Sequence, residues 1–323
     1  MRDASQVGDV RRLATRLARE LGFDQTREGE VAIVASELAT NLLKHAKEGE
    51  IAVQSDASCG RLHLWSFDRG PGMRNIAECF RDGYSTAGSP GTGLGAIRRL
   101  STRCEIYSDG GGTVVYAQMG GDADLGAISF AALTIPHPHE TVCGDTWAVR
   151  ASPNGAKVMM VDGLGHGPHA ATASQTAQAV WHTEAQERSP LETLQSAHAA
   201  LRATRGAAVA LAWIDIERGQ VRYGAVGNIS AAIASLALKT RSLVSNNGTV
   251  GLEMRRLQEF QYPMNIDDVL IMHSDGIVTH WQLDRYPGLL ARHPALIAGV
   301  LFRDCRRGRD DATVLVVKRT ARA

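Results

Sequence analysis

Apolar residues recur at three- and four-residue spacing at the start of the chain. Val10, Leu13, Leu17 and Leu21 share one helical face, so residues 5–21 are predicted as an amphipathic helix that Gly22 ends. Val31, Val34, Leu38 and Leu42 keep the same period and predict a second helix over 25–45. The period then falls to two. Residues 50–55, 61–68, 103–108 and 113–119 read as strands, the last two joined at Asp109-Gly110-Gly111-Gly112, with a short helix over 94–100. Beyond a glycine-rich junction, Gly120-Gly121-Asp122-Ala123-Asp124, strands are predicted at 128–136, 145–151, 157–162, 207–217, 220–225, 231–235, 269–273 and 312–318. Helices are predicted at 169–188, 190–203 and 288–301. Strands grouped away from helices favour an α+β layered architecture, with one domain over 1–122 and another over 123–323.

Composition removes several function classes. The 323 residues carry a formal net charge of +1 and only 5% aromatics, which argues against nucleic acid or an acidic membrane as partner. The five cysteines are scattered without a Cys-x-x-Cys pair, so neither a zinc site nor a disulfide framework is expected. No apolar run approaches about 18 residues and the first residues lack a signal core, so the protein is expected to be cytoplasmic.

The polar residues of the first half carry chemistry. Glu37 and Asn41 lie one helical turn apart and share a face that could hold a magnesium ion and orient a hydroxyl. Asp68 stands at a strand end before Arg69-Gly70-Pro71-Gly72, where a carboxylate can accept from an adenine amino group and the glycines let backbone approach the base; a tight surface turn would use the same residues. Asp82-Gly83-Tyr84-Ser85-Thr86 and Gly91-Thr92-Gly93-Leu94-Gly95 then feed a helix N-terminus, an arrangement suited to phosphate. The Gly-Lys-Ser/Thr ending of a Walker loop is missing.

In their order, these motifs resemble the GHKL ATP-binding fold, and most closely the serine kinases and anti-sigma factors of the RsbT and RsbW type. The resemblance implies an α/β sandwich binding ATP with Mg²⁺ on Asn41, Glu37 as the base for a substrate serine, and Asp68 on adenine with Gly70 and Gly72 beside it. Thr86, Gly91, Thr92, Gly93, Leu94 and Gly95 would line the nucleotide, under a lid over about 75–90.

The second half places carboxylates at strand ends: Asp145 after Cys143-Gly144, Asp162-Gly163 closing 158–161, Asp275-Gly276 after 269–273, and Asp310-Asp311 opening the last strand. Each alone reads as a turn or a cap. Together with a glycine carbonyl they suit hard cations such as Mg²⁺ or Mn²⁺, and two such ions could share a carboxylate and ionise a water. The pieces Gly144-Asp145-Thr146-Trp147, Val161-Asp162-Gly163-Leu164-Gly165-His166-Gly167, Ser274-Asp275-Gly276 and Asp310-Asp311-Ala312-Thr313-Val314 resemble the SpoIIE- and RsbX-type metal-dependent phosphatases. That resemblance implies an αββα sandwich with two Mn²⁺ or Mg²⁺ ions held by Asp145, Asp162, the Gly163 carbonyl, Asp275 and Asp310, with Asp162 bridging. Two departures stand out: Cys143 replaces a common glycine, and no arginine precedes the first motif to grip phosphate, which leaves Ser/Thr, backbone groups or His166 for that task. His137, His139, His166 and His169 have no zinc-cluster spacing.

Two readings of the whole follow. One is a bifunctional regulator that phosphorylates and dephosphorylates serine or threonine of a STAS-domain partner, RsbS/RsbR-like or anti-anti-sigma; the partner class comes from the resemblance, which also admits a sigma factor. The other is an ATP-loaded binding or nucleotide-sensing module that controls a phosphatase without kinase activity.

Overall fold

The first helix, α1 (Ser5–Glu20), ends one residue before the predicted point: Leu21 is its C-cap and Gly22 turns away at φ 78°. In the computed structural model, residues 1, 3–46, 49–73, 75–79, 93–121, 126–184, 188–236, 240–254 and 257–321 are described. The chain divides into two units, Met1–Ala123 and Asp124–Ala323.

In the first unit, α2 (Gln25–His45) starts where Asp24 accepts from the Arg27 amide at 2.8 Å. Its buried residues Val31, Val34, Ala35, Leu38 and Leu42 form the stripe that the period predicts. Strands β1 (Gly49–Asp56), β2 (Arg61–Asp68), β3 (Arg103–Asp109) and β4 (Gly112–Met119) pair antiparallel in the order β1-β2-β4-β3. Leu62, Leu64, Val115, Ala117 and Met119 meet Leu38 and Val34 in one core, which Ile97 of α4 (Gly93–Leu100) completes. A short α3 (Ile76–Cys79) lies at the start of the predicted lid. The rest of that lid, with Thr86, Gly91 and Thr92, lies outside the described residues.

The second unit is a pair of five-stranded antiparallel sheets. One is ordered β11-β10-β13-β14-β5, from β5 (Ile128–Ile135), β10 (Ser230–Ala234), β11 (Arg241–Ser242), β13 (Val269–His273) and β14 (Ala312–Arg319). The other is ordered β12-β9-β8-β7-β6, from β6 (Asp145–Ser152), β7 (Gly155–Gly163), β8 (Ala207–Asp215), β9 (Gln220–Val226) and β12 (Phe260–Pro263). Helices α5 (Pro168–Thr183) and α6 (Pro190–Ala200) cover this second sheet, where Trp181, Leu194 and Leu201 pack on Met159, Val161 and Leu211. Helix α7 (Pro294–Cys305) packs on β5 and β14, completing the αββα layering.

Three predicted boundaries need correction. The helix predicted over 169–188 ends at Thr183, where Glu184 is extended. The helix predicted over 190–203 is α-helical only to Ala200, and Leu201–Ala203 tighten into a 3₁₀ turn. The helix predicted over 288–301 begins at Pro294, capped by the His293 ring, after a separate 3₁₀ turn at Leu289–Ala291. Residues Pro294–Arg303 are buried all round, so no stripe marks the start of α7.

Candidate active sites

Strand register assembles the second unit's carboxylates. The β6–β7 pairing sets Asp145 opposite Asp162, and the Gly163 amide donates to the Gly144 carbonyl at 3.1 Å. In the other sheet, β13–β14 pairing puts His273 opposite Val314 and brings Ser274 beside Thr313, so Asp275 and Asp310 leave the sheet at the same end. One side chain links the sheets: Ser274 Oγ donates to Asp145 Oδ2 at 2.7 Å and accepts from the Thr313 amide at 3.0 Å. Gly163 is obligatory, since a Cβ there would stand 2.1 Å from the Ala170 carbonyl oxygen at the start of α5.

The two neighbouring aspartates differ. Asp311 is buried and accepts from the His137 amide at 2.8 Å through Oδ1 and from the Gly144 amide at 2.9 Å through Oδ2. Both its oxygens are spent on holding the loop that delivers Asp145. Asp310 accepts only from the Asp311 amide among the described contacts and adds its charge to the field on Asp162 and Asp275.

The electrostatics of this end are those of crowded, desolvated anions. Burial raises the pKa of Asp162, and the charges of Asp145, Asp275 and Asp310 raise it further. Burial also raises Asp145; hydrogen bonds from Ser274 and Thr313 oppose that shift, and the charges of Asp311 and Asp275 add to it. Asp275 moves the same way, through burial and then Asp310. Asp162 Oδ2 is buried with no hydrogen-bond partner among the described residues. An unpartnered anionic oxygen among like charges fits a divalent cation. Among the described residues, no three His, Cys, Asp or Glu side chains stand close enough to hold one ion by themselves.

Residues that the sequence left unmarked also border this end. Asn228, just past β9, donates to Asp275 Oδ2 at 2.8 Å. Glu140 Oε1 lies 2.8 Å from His166 Nδ1, and the His137 ring stacks on His166 with centroids 4.3 Å apart.

In the first unit, α2 and the start of α4 converge. A Cβ at Gly93 would stand 2.6 Å from Glu37 Oε2 and 3.5 Å from Asn41 Oδ1, so a larger residue there would have to displace the Glu37 carboxylate. Among the described residues, the buried Asn41 Nδ2 has no hydrogen-bond partner. Asp68 Oδ1 accepts from the Gly70 amide at 2.7 Å, and Gly72, at φ 75°, packs against the Asp109 carbonyl. Leu94 packs against the core rather than facing away from it, and Gly95 is buried.

Comparison with known proteins meets this geometry. Residues 152–320 match the profile of stage II sporulation protein E (SpoIIE). The chain belongs to the SpoIIE family. Ahead of the SpoIIE match, residues 2–119 match the histidine kinase-like ATPase domain. Serine/threonine-protein kinase RsbT of Bacillus subtilis (strain 168) is 34% identical over 111 residues, which span 33% of this chain and 84% of that kinase. This SpoIIE-family chain therefore joins an RsbT-like domain to a SpoIIE domain. Among solved structures, it resembles one described under the bacterial stressosome as a modular system adapted to control secondary messenger signaling (TM-score 0.54, 27% identity, 59% of this chain and 99% of that one). RsbX in complex with magnesium gives a TM-score of 0.53 at 16% identity, over 67% of this chain and 99% of that one. The RsbU and RsbW domains of a Mycobacterium tuberculosis protein give 0.53 at 17% identity, over 62% of each chain. These last two likenesses bear on the fold alone. Among the described residues, no helix is long and apolar enough to cross a membrane.

Proposed function

We propose that this chain is a bifunctional regulator of a phosphoprotein switch, with ATP-dependent serine kinase chemistry in residues 1–122 and phosphoserine/phosphothreonine phosphatase chemistry in 123–323. The buried, unpartnered Oδ2 of Asp162 among four strand-end aspartates carries the phosphatase half. Asp145, Asp162, Asp275, Asp310 and the Gly163 carbonyl would hold two Mn²⁺ or Mg²⁺ ions, with Asp162 shared. Bound there, the ions would polarise the phosphoryl group and yield a nucleophile from water near neutral pH. The chain's own work is positional: Ser274 fixes one oxygen of Asp145, Asp311 braces the Gly144 loop, and Asn228 steers Asp275.

In the first unit, Glu37 would accept the proton of the substrate hydroxyl during γ-phosphoryl transfer from bound ATP, with ADP as the leaving group. Asn41 would bind the nucleotide's Mg²⁺, Asp68 the adenine, and Gly70, Gly72, Gly91, Thr92, Gly93, Leu94, Gly95 and Thr86 the remainder of ATP. Likeness to RsbT and to a stressosome structure supports a small STAS-domain protein as the partner of both sites.

The test separates catalysis from binding alone. Glu37→Ala is expected to abolish transfer from labelled ATP to a STAS-domain serine while ATP still binds. If the wild-type chain labels no candidate partner yet binds ATP, the first unit is a docking or sensing module, and any kinase role is lost.

A further inference from the structure

We propose that Arg205 is the phosphate-binding arginine of the phosphatase site; this rests on the phosphatase reading above. A phosphorylated serine brings a dianion to an end of the fold lined by Asp145, Asp162, Asp275 and Asp310. Its peripheral oxygens then need a cation of the protein's own, and a planar guanidinium meets that need with paired donors. No arginine lies between Asp124 and Asp145 to do this.

Register supplies one from elsewhere. The β7–β8 ladder pairs Asp162 with Ala208 and Gly163 with Ala207. The pairing runs on past the strand ends, because the Leu164 amide donates to the Gly206 carbonyl at 3.0 Å. Arg205 therefore falls opposite Gly165, and its Nη1 would lie 3.5 Å from a Cβ built there. The backbone that carries it is fixed: the Gly206 amide donates to Thr204 Oγ1 at 3.0 Å, and Ala207 exchanges both backbone hydrogen bonds with Val250. Arg205 is exposed, and among the described residues its guanidinium makes no ion pair or hydrogen bond. An arginine anchored at the backbone but uncommitted at its head suits a ligand that comes and goes. His166 is the weaker candidate for this task, because the Glu140 carboxylate already occupies its Nδ1 and would repel a dianion.

The experiment uses the full chain with Mn²⁺, p-nitrophenyl phosphate as substrate and inorganic phosphate as competitive inhibitor. Arg205→Ala is expected to raise both KM and the phosphate inhibition constant by about tenfold or more, and Arg205→Lys by less. Mn²⁺ affinity, from calorimetric titration, should stay within about twofold of wild type because Arg205 is not a ligand. An alanine variant whose KM and inhibition constant match wild type overturns the assignment. So does a parallel loss of Mn²⁺ affinity, which would make Arg205 a support of the metal site. A wild-type chain that hydrolyses no phosphate ester removes the phosphatase reading itself, and this inference with it.

Discussion

Ser274 shows how much one buried hydroxyl can hold. It joins the two sheets of the second unit by satisfying Asp145 and the Thr313 amide at once. Ser274→Ala would leave both without that partner, at a cost of about 1–3 kcal/mol in denaturant melts. It should also weaken Mn²⁺ binding by about 10- to 100-fold, as removal of groups that orient ligands does, while Ser274→Thr restores much of the loss. Unchanged Mn²⁺ affinity in the alanine variant would contradict this role. Asp162 gives the pH dependence. Its pKa in the folded protein lies above the unfolded carboxylate value of about 3.9, so between the two the folded state holds a proton that the unfolded chain releases. Without metal, this group's contribution to stability therefore falls as pH rises through that window. A cation needs the deprotonated form, so the rise in Tm on adding Mn²⁺ should be larger at pH 8 than at pH 6. Asp162→Asn should raise the metal-free Tm at pH 8 and lose most of the Mn²⁺ response. A response that persists in that variant would exclude Asp162 as a main ligand.

At the scale of elements, glycines and register decide what can meet. Gly93 opens α4 against the Glu37 face of α2, and Gly93→Ala would push a methyl group into the Glu37 carboxylate. Alanine suits a helix better than glycine by about 1 kcal/mol, so the fold should survive. ATP binding, followed with a fluorescent nucleotide, should weaken by about tenfold or more, with p-nitrophenyl phosphate hydrolysis unchanged. Unaltered nucleotide affinity would show that this contact is not part of the ATP site. Much at this scale was legible in the sequence. The period of α2 gives its bounds and the order of strands and helices gives the α+β layering, while the αββα and α/β sandwiches are what the resemblances imply. Helix α7 was misjudged because a helix buried on every side shows no period. The short strands β11 and β12 went unseen, being two and four residues long with exposed positions. Nothing in the sequence marks Arg205; only the β7–β8 register brings it to Gly165. Asn228 and Ser274 act on aspartates far along the chain, and no local spacing signals that.

At the scale of the whole molecule, the proposal is that one chain both adds and removes a phosphate, through sites that share no residue. Glu37 and Asn41 lie in the unit Met1–Ala123, and all four strand-end aspartates lie in Asp124–Ala323. The most direct measurement is a time course of label on the proposed STAS-domain substrate, with γ-labelled ATP, Mg²⁺ and Mn²⁺ in one reaction. Wild type should give label that rises and then falls as ATP is spent. Asp162→Ala should give label that rises and stays, and Glu37→Ala none at any time. A folded Asp162→Ala chain that fails to label the substrate, or whose label decays as fast as with wild type, would contradict the account.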